Sequence, residues 1–288
     1  MILVTGAAGK TGRAVISALS TKGEDVRALV HHDEQAKFVK SVGARESIVG
    51  DMRNANTLAQ AARGVQAIYH ICPNVSPDEI LIGKSAIAAA QGAGVEHFVF
   101  HSVLHPQAEA MPHHWNKLRV EEALFESQLQ YTILQPSSYM QNVFGSWQAI
   151  VEKGVYIVPY SIACRMSMVD LVDVAEAAAT VLTEPGHMGA TYELSGPEVL
   201  TPSQVAEMLS THLKRPVHAE QIAFDAWARQ AQSSGRRTHQ IEALLTMFHY
   251  YDRCGLWGNS RVLEQLIRRA PTTFDAFIQR TIRERMDK

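Results

Sequence analysis

Short apolar runs alternate, over the first half of the chain, with stretches in which apolar residues recur at about every third or fourth position. The runs predict strands near 2–5, 25–30, 46–49, 66–71, 96–102 and 130–135, and the stretches between them predict helices near 10–21, 34–41, 54–63, 77–92 and 113–127. Such alternation is the signature of βαβ units, whose right-handed crossovers build a doubly wound parallel sheet with helices on both faces. Beyond about residue 155 the rhythm changes to isolated short strands, near 154–158, 165–169, 190–194 and 217–222, set between helices. We therefore expect an α/β domain over 1–154 and a smaller α+β lobe over 155–288, with the helix near 139–153 assignable to either.

Three glycines follow the first apolar run, as Gly6-x-x-Gly9-x-x-Gly12, and open the first helical stretch. Each meets a separate demand: Gly6 permits the tight strand-to-helix turn, Gly9 lets the backbone approach a diphosphate, and Gly12 lets the helix pack close to the sheet. The diphosphate would lie on the amide groups of the first helical turn, where the helix dipole favours negative charge. A strand before, an amphipathic helix behind (Ala14, Val15, Ala18, Leu19) and a second strand from Asp25 to Val30 give the glycines the context of a Rossmann dinucleotide-binding fold. The smaller lobe is expected to close over the coenzyme.

Composition changes this picture mainly by exclusion. A net charge of −2 with scattered Lys and Arg offers no basic face for direct nucleic-acid binding. No apolar run approaches the roughly 20 residues of a membrane span, and Met1 enters a strand with no leader pattern, so a cytoplasmic protein is expected. Cys72, Cys164 and Cys254 lie far apart with no metal-ligand spacing; reduced, buried thiols and no metal site are expected.

The end of the second strand is where the adenosine ribose is usually read, by an acidic residue that binds its 2′-hydroxyl and repels a 2′-phosphate. Here Val30 runs into His31 and His32, and the acid, Asp33, is displaced. Two imidazoles, with Lys10 and Lys37, favour NADP(H), while Asp33 turned onto the ribose would give NAD(H); each histidine taken alone is equally a solvated loop residue. Asp51, after the apolar strand Ser47–Val49, is placed to accept from the adenine amino group, with Met52 packed on the ring.

The strand Glu96–Val103 leads to His113-His114-Trp115-Asn116-Lys117, where His113 and Lys117 share one helical face. Here the chain resembles the short-chain dehydrogenase/reductase superfamily, in its atypical NmrA-like branch, over nearly its whole length. The resemblance rests on Thr5–Arg13, Gly50-Asp51, Ile71-Cys72-Pro73, HSVLHP at 101–106, HHWNKLRVEE at 113–122, Thr132–Pro136 and Tyr192–Pro197. It implies a coenzyme site built from Gly6, Ala8, Gly9, Lys10, Thr11, Gly12, His31, His32, Asp51, Met52, Cys72, Pro73, Ser102, Lys117 and Pro136. The superfamily's usual Tyr-x-x-x-Lys pair, in which the lysine holds the nicotinamide ribose and assists a proton-relaying tyrosine, is altered: His113 takes the tyrosine position and Lys117 remains to contact ribose or substrate oxygen, with a solvated helix face as its weaker alternative. The companion serine is also displaced, since Val103 occupies the expected place and Ser102 precedes it. His113 and Lys117 are the catalytic candidates, with a space-filling histidine as the bland alternative for the first.

Hydride transfer to a quinone or an enone needs little from an acid, because conjugation stabilises the developing oxyanion. The resemblance accordingly implies a reductase acting on a small aromatic or quinone-like substrate. Tyr139, Asn142, Phe144, Trp147, Phe248 and Tyr251 are the candidates for its pocket. Two alternatives stay open: a non-catalytic NADP(H) sensor acting on a protein partner, and an aromatic natural-product tailoring enzyme using the same site.

Overall fold

The expected elements form, over residues 1–286 that the computed structural model describes. In chain order they are β1 (Ile2–Val4), α1 (Lys10–Thr21), β2 (Val26–Val30), α2 (Asp33–Ser41), β3 (Glu46–Val49), α3 (Ala55–Ala62), β4 (Ala67–His70), α4 (Glu79–Ala93), β5 (His97–His101), α5 (Pro112–Glu126) and β6 (Tyr131–Pro136). There follow β7 (Ser138–Tyr139), a 3-10 helix (Met140–Ser146), α6 (Trp147–Lys153), β8 (Val155–Val158), β9 (Met166–Val169), α7 (Leu171–Thr183), β10 (Ala190–Leu194) and β11 (Val199–Leu200). The chain continues through α8 (Pro202–Leu213), β12 (His218–Gln221), α9 (Phe224–Ser233), α10 (Thr238–Cys254), α11 (Arg261–Ile267) and α12 (Phe274–Met286).

Seven strands form one sheet in the order β10-β6-β5-β4-β1-β2-β3. The pairings β1–β2, β1–β4, β2–β3, β4–β5 and β5–β6 are all parallel, so the doubly wound α/β architecture is as expected. The direction of winding reverses between β1 and β4, and ligands of such sheets bind beyond the carboxyl ends of the strands at that switch point. Leu3, Leu29, Ile68, Phe98, Phe100 and Ile133 of the sheet pack with Leu58, Ile87, Val120 and Leu124 of the helices in one buried cluster. Each such side chain contributes roughly 1.5–3 kcal/mol on leaving water, which fixes strand register and so the loops that leave the strand ends.

The chain divides into two units, and neither is continuous. The first comprises Met1–Glu109, His113–Pro136 and Val172–Glu193; the second comprises Ala110–Pro112, Ser137–Leu171 and the chain from Leu194. This differs from a single cut after residue 154. The strand at 190–194, expected in the smaller lobe, is instead an edge strand of the large sheet, because its backbone groups find partners along β6. One such bond, just before the strand, runs from the Gly189 amide to the Tyr131 carbonyl at 2.6 Å. The second unit holds two small sheets, β11-β9-β7 and β12-β8, over a core of Met140, Val143, Ile150, Tyr156, Leu209, Phe274 and Phe277. No helix among the described residues is long and apolar enough to cross a membrane.

Candidate functional site

The glycine loop has the geometry of a diphosphate cradle. Gly6 has φ +57°, and a Cβ there would lie 2.8 Å from the Ile71 carbonyl oxygen; one at Gly12 would lie 2.5 Å from the Gly6 oxygen and 2.7 Å from Ala7 Cα. Both are therefore demanded by the protein's own packing. Gly9 is different: it is exposed, and a Cβ would meet only the Gly6 oxygen, at 3.2 Å. Packing within the protein leaves space beside it. Gly9 also caps α1, so no side chain accepts from the first turn, and no acidic residue occupies that turn. These features fit a dinucleotide diphosphate. Ala8, Lys10 and Thr11 lie on the solvent-accessible side of the same turn.

At the adenosine end, β2 and β3 pair through Val30 and Val49, and the Gly50 amide donates to the Val30 carbonyl at 2.9 Å. His31 and Asp51 thus leave neighbouring strands side by side. His31 and His32 are exposed with ring centroids 4.4 Å apart, and both their amides donate to Gln35 Oε1, while Asp33 opens α2. Asp51 has a partner of its own. Its carboxylate is taken up by Arg53, which donates through Nε at 3.0 Å and Nη2 at 2.6 Å to Oδ2, and through its backbone amide at 2.9 Å to Oδ1. Those bonds hold the carboxyl down at about 2. Met52 packs against the sheet core. Arg53 was missed in the sequence, although an acid two residues before an arginine in a loop is a legible signal for such a clamp.

Beyond β4 and β5 the site is lined by buried polar groups. Lys117 of α5 is not on an exposed face: its ammonium donates to Glu79 Oε1 at 2.9 Å and to the His101 carbonyl at 3.4 Å, and lies 5.4 Å above the Phe100 ring. The side chains of this pair are 14% and 4% exposed. An uncompensated charge at such a depth would be costly, so each partner requires the other. Ser102 is likewise occupied, since its hydroxyl donates to Glu121, whose carboxylate also accepts from Gln135 at 3.0 and 3.1 Å. Burial pushes the Glu121 carboxyl up. Sequence spacing gave no hint of Glu79 or Glu121, because both pairs are made across separate elements.

His113 is mostly buried beside Lys117; its Nδ1 has no hydrogen-bond partner among the described residues, and its ring meets His114 edge-on at 4.6 Å. Burial, aided by the Lys117 charge, brings it down to about 4, so it is uncharged at neutral pH. His70, His101 and His114 are depressed by burial to about 3. The tautomer of His70 follows from its partner: the Thr5 hydroxyl gives its proton to the Ile71 carbonyl at 3.1 Å, so His70 Nδ1 carries the hydrogen in its 2.9 Å bond to Thr5. Two loops here hold non-glycine residues at positive φ, Val75 at +53° after β4 and His105 at +55° after β5. For a β-branched valine this is a strained conformation. Cys72 is buried and its thiol driven upward by that burial, Pro73 is exposed, and the Pro136 carbonyl accepts from Leu104 at 2.9 Å, tying down the loop after β5. The cysteines are all unpaired; Cys164 is buried, whereas Cys254, expected to be buried, is exposed near the end of α10.

The six residues expected to face a substrate all lie in the second unit, where they separate. Phe144 packs against Trp147 and Phe277 in the core of that unit. Phe248 and Tyr251 are each 6% exposed and cluster about Tyr160, so they are core residues here and not open pocket lining. Tyr139 is half-buried, and exposed Asn142 donates to Ser138 Oγ at 3.1 Å. No group of His, Cys, Asp and Glu that could hold a metal occurs among the described residues.

Comparison with known proteins places this geometry in context. Residues 1–278 match the model of the NmrA-like family. An NAD(P)H azoreductase of Xenophilus azovorans is 33% identical over 238 residues, covering 81% of this chain and 80% of that protein. Among solved structures, an NADPH-dependent quinone oxidoreductase of Escherichia coli, complexed with NADPH, superposes with a TM-score of 0.85 at 26% identity, over 98% of this chain and all of the other (100%). The triphenylmethane reductase of Citrobacter sp., complexed with NADP(H), gives 0.84 at 25% identity, over 97% and 99%.

Proposed function

The chain belongs to the NmrA-like family, and we propose that it is an NADP(H)-dependent oxidoreductase that passes hydride to a quinone, an enone or another conjugated aromatic acceptor, with NAD(H) as the lesser coenzyme. One observation carries the coenzyme part: an exposed glycine, unneeded by the fold, caps an acid-free helix start at the switch point of the sheet. The similar azoreductase, quinone oxidoreductase and triphenylmethane reductase support the acceptor class.

When bound, the reduced nicotinamide supplies the hydride. The protein's own groups then have limited acid–base work. His113 is neutral at physiological pH, and two of the three Lys117 protons are directed to Glu79 and the His101 carbonyl. Such a site is poorly equipped to protonate an isolated alkoxide. It suits an acceptor whose conjugation spreads the incoming charge and which needs only one cationic donor held in place. Lys117 fills that role, positioned by Glu79.

The commitment of the Ser102 hydroxyl to Glu121 also favours a second reading, an NADP(H) sensor that signals to a protein partner. NADPH consumption measured with a panel of quinones, azo dyes and triphenylmethane dyes separates the two. Turnover with any acceptor supports the reductase; tight NADPH binding without turnover supports the sensor. Failure to bind NADPH or NADH would refute both.

A further inference from the structure

We propose that Arg53 is the residue that selects the 2′-phosphate of the coenzyme and that Asp51 is its mount, an assignment resting on the NADP(H) reading above. The parallel register of β2 and β3 brings the two loops that follow them to one point, with His31 on one and Asp51 and Arg53 on the other. Asp51 grips the guanidinium side-on through Nε and Nη2. That grip fixes the plane of the fork while Nη1 makes no hydrogen bond among the described residues, and 54% of the side chain faces solvent. A planar, permanently charged fork is the side chain best matched to a phosphate oxygen pair.

The charge balance points the same way. Asp33 and Glu34 stand in the first turn of α2 directly after the two histidines, Asp51 follows β3, and Asp78 acts on Arg53 electrostatically. A phosphate dianion placed among these carboxylates would be repelled unless a cation intervened. A guanidinium is charged at every physiological pH and carries its donors in one plane. Arg53 therefore does two things: it offers donors to the phosphate, and it cancels the carboxylate that would otherwise repel it. Removing the guanidinium frees the Asp51 oxygens, which then accept from a ribose 2′-hydroxyl, the arrangement that favours NADH.

The test is calorimetric binding of 2′,5′-ADP and of 5′-AMP, which differ only in the 2′-phosphate, alongside NADPH and NADH. For Arg53→Ala we expect 2′,5′-ADP and NADPH to weaken by roughly tenfold to a hundredfold, the loss of one charge-assisted contact and its screening. The same variant should bind 5′-AMP within about twofold of the parent and NADH as well or better. Asp51→Asn should weaken 2′,5′-ADP by a smaller factor, since the guanidinium remains but is no longer held. Equal loss of both nucleotides, unchanged 2′,5′-ADP binding, or a loss confined to His31→Ala and His32→Ala would each overturn the assignment. A parent protein that binds neither dinucleotide would instead sink the coenzyme reading on which it rests.

Discussion

Acidification should unfold this protein well above the pH at which its carboxylates titrate, and the cause is its buried imidazoles. His70, His101 and His114 are held near 3 and His97 and His113 near 4, in every case chiefly by burial. In the unfolded chain each returns to about 6.5. Their folded values are depressed, so their contribution to stability is complete above the unfolded value and is lost as pH falls from about 6.5 towards 4 and 3. At pH 5.5 an unfolded imidazole is about nine-tenths protonated while the folded one stays neutral, a penalty of about 1.4 kcal/mol each and about 7 kcal/mol for the five. That approaches the whole stability of many domains, roughly 5–15 kcal/mol. The figure depends almost wholly on the unfolded value, provided the folded ones stay below about 4.5. Glu121, raised by burial, opposes it and subtracts at most one from the count. Urea unfolding at several values between pH 7.5 and 5.5 should then show a slope of about 5–6 kcal/mol per pH unit at the acid end, or roughly 3.5–4.5 protons taken up on unfolding. An uptake below about two protons would show that these histidines are charged in the native protein and that the burial reasoning is wrong.

Three further outcomes are expected. Gly9→Ala should keep stability within about 1 kcal/mol, since its Cβ meets only one oxygen at 3.2 Å, yet weaken NADPH about tenfold or more, whereas Gly12→Ala should lose stability in urea; the reverse order would remove Gly9 from the diphosphate site. Glu79→Gln leaves the Lys117 ammonium buried beside a neutral amide and without its charged anchor, so turnover should fall about tenfold or more; turnover equal to the parent would mean the pair only braces α4 against α5. Phe248→Ala should cost about 3–5 kcal/mol in urea unfolding, as a core truncation, with NADPH affinity unchanged, and a selective loss of acceptor turnover at full stability would restore it to the substrate site.

The strands and helices of the first unit were legible because their evidence is local: alternating runs, glycines at fixed spacing, a helix opening behind them. What escaped was made across distance. β10 reads as an isolated short strand, and only its pairing with β6 reveals which sheet it completes. Lys117 looks like a surface lysine in its own helix until Glu79 is brought against it from α4, and Ser102 looks available until Glu121 arrives from α5. Phe248 and Tyr251 carry no mark in the sequence that distinguishes an aromatic wall from an aromatic interior. The Asp51–Arg53 clamp is local, an acid two residues before an arginine, but the generic adenine role of Asp51 overshadowed it.

The detour of the chain between β6 and β10 has a consequence for biosynthesis. When residue 136 has left the ribosome, β6 presents an unpaired flank, and the segment that will cover it ends at residue 194, after the intervening chain 137–189 has been translated. Exposed strand flanks of this kind recruit other strands and seed aggregation. The growing polypeptide therefore passes through a sticky interval, ended only when the late strand arrives, and a translational stall inside 137–189 would prolong it.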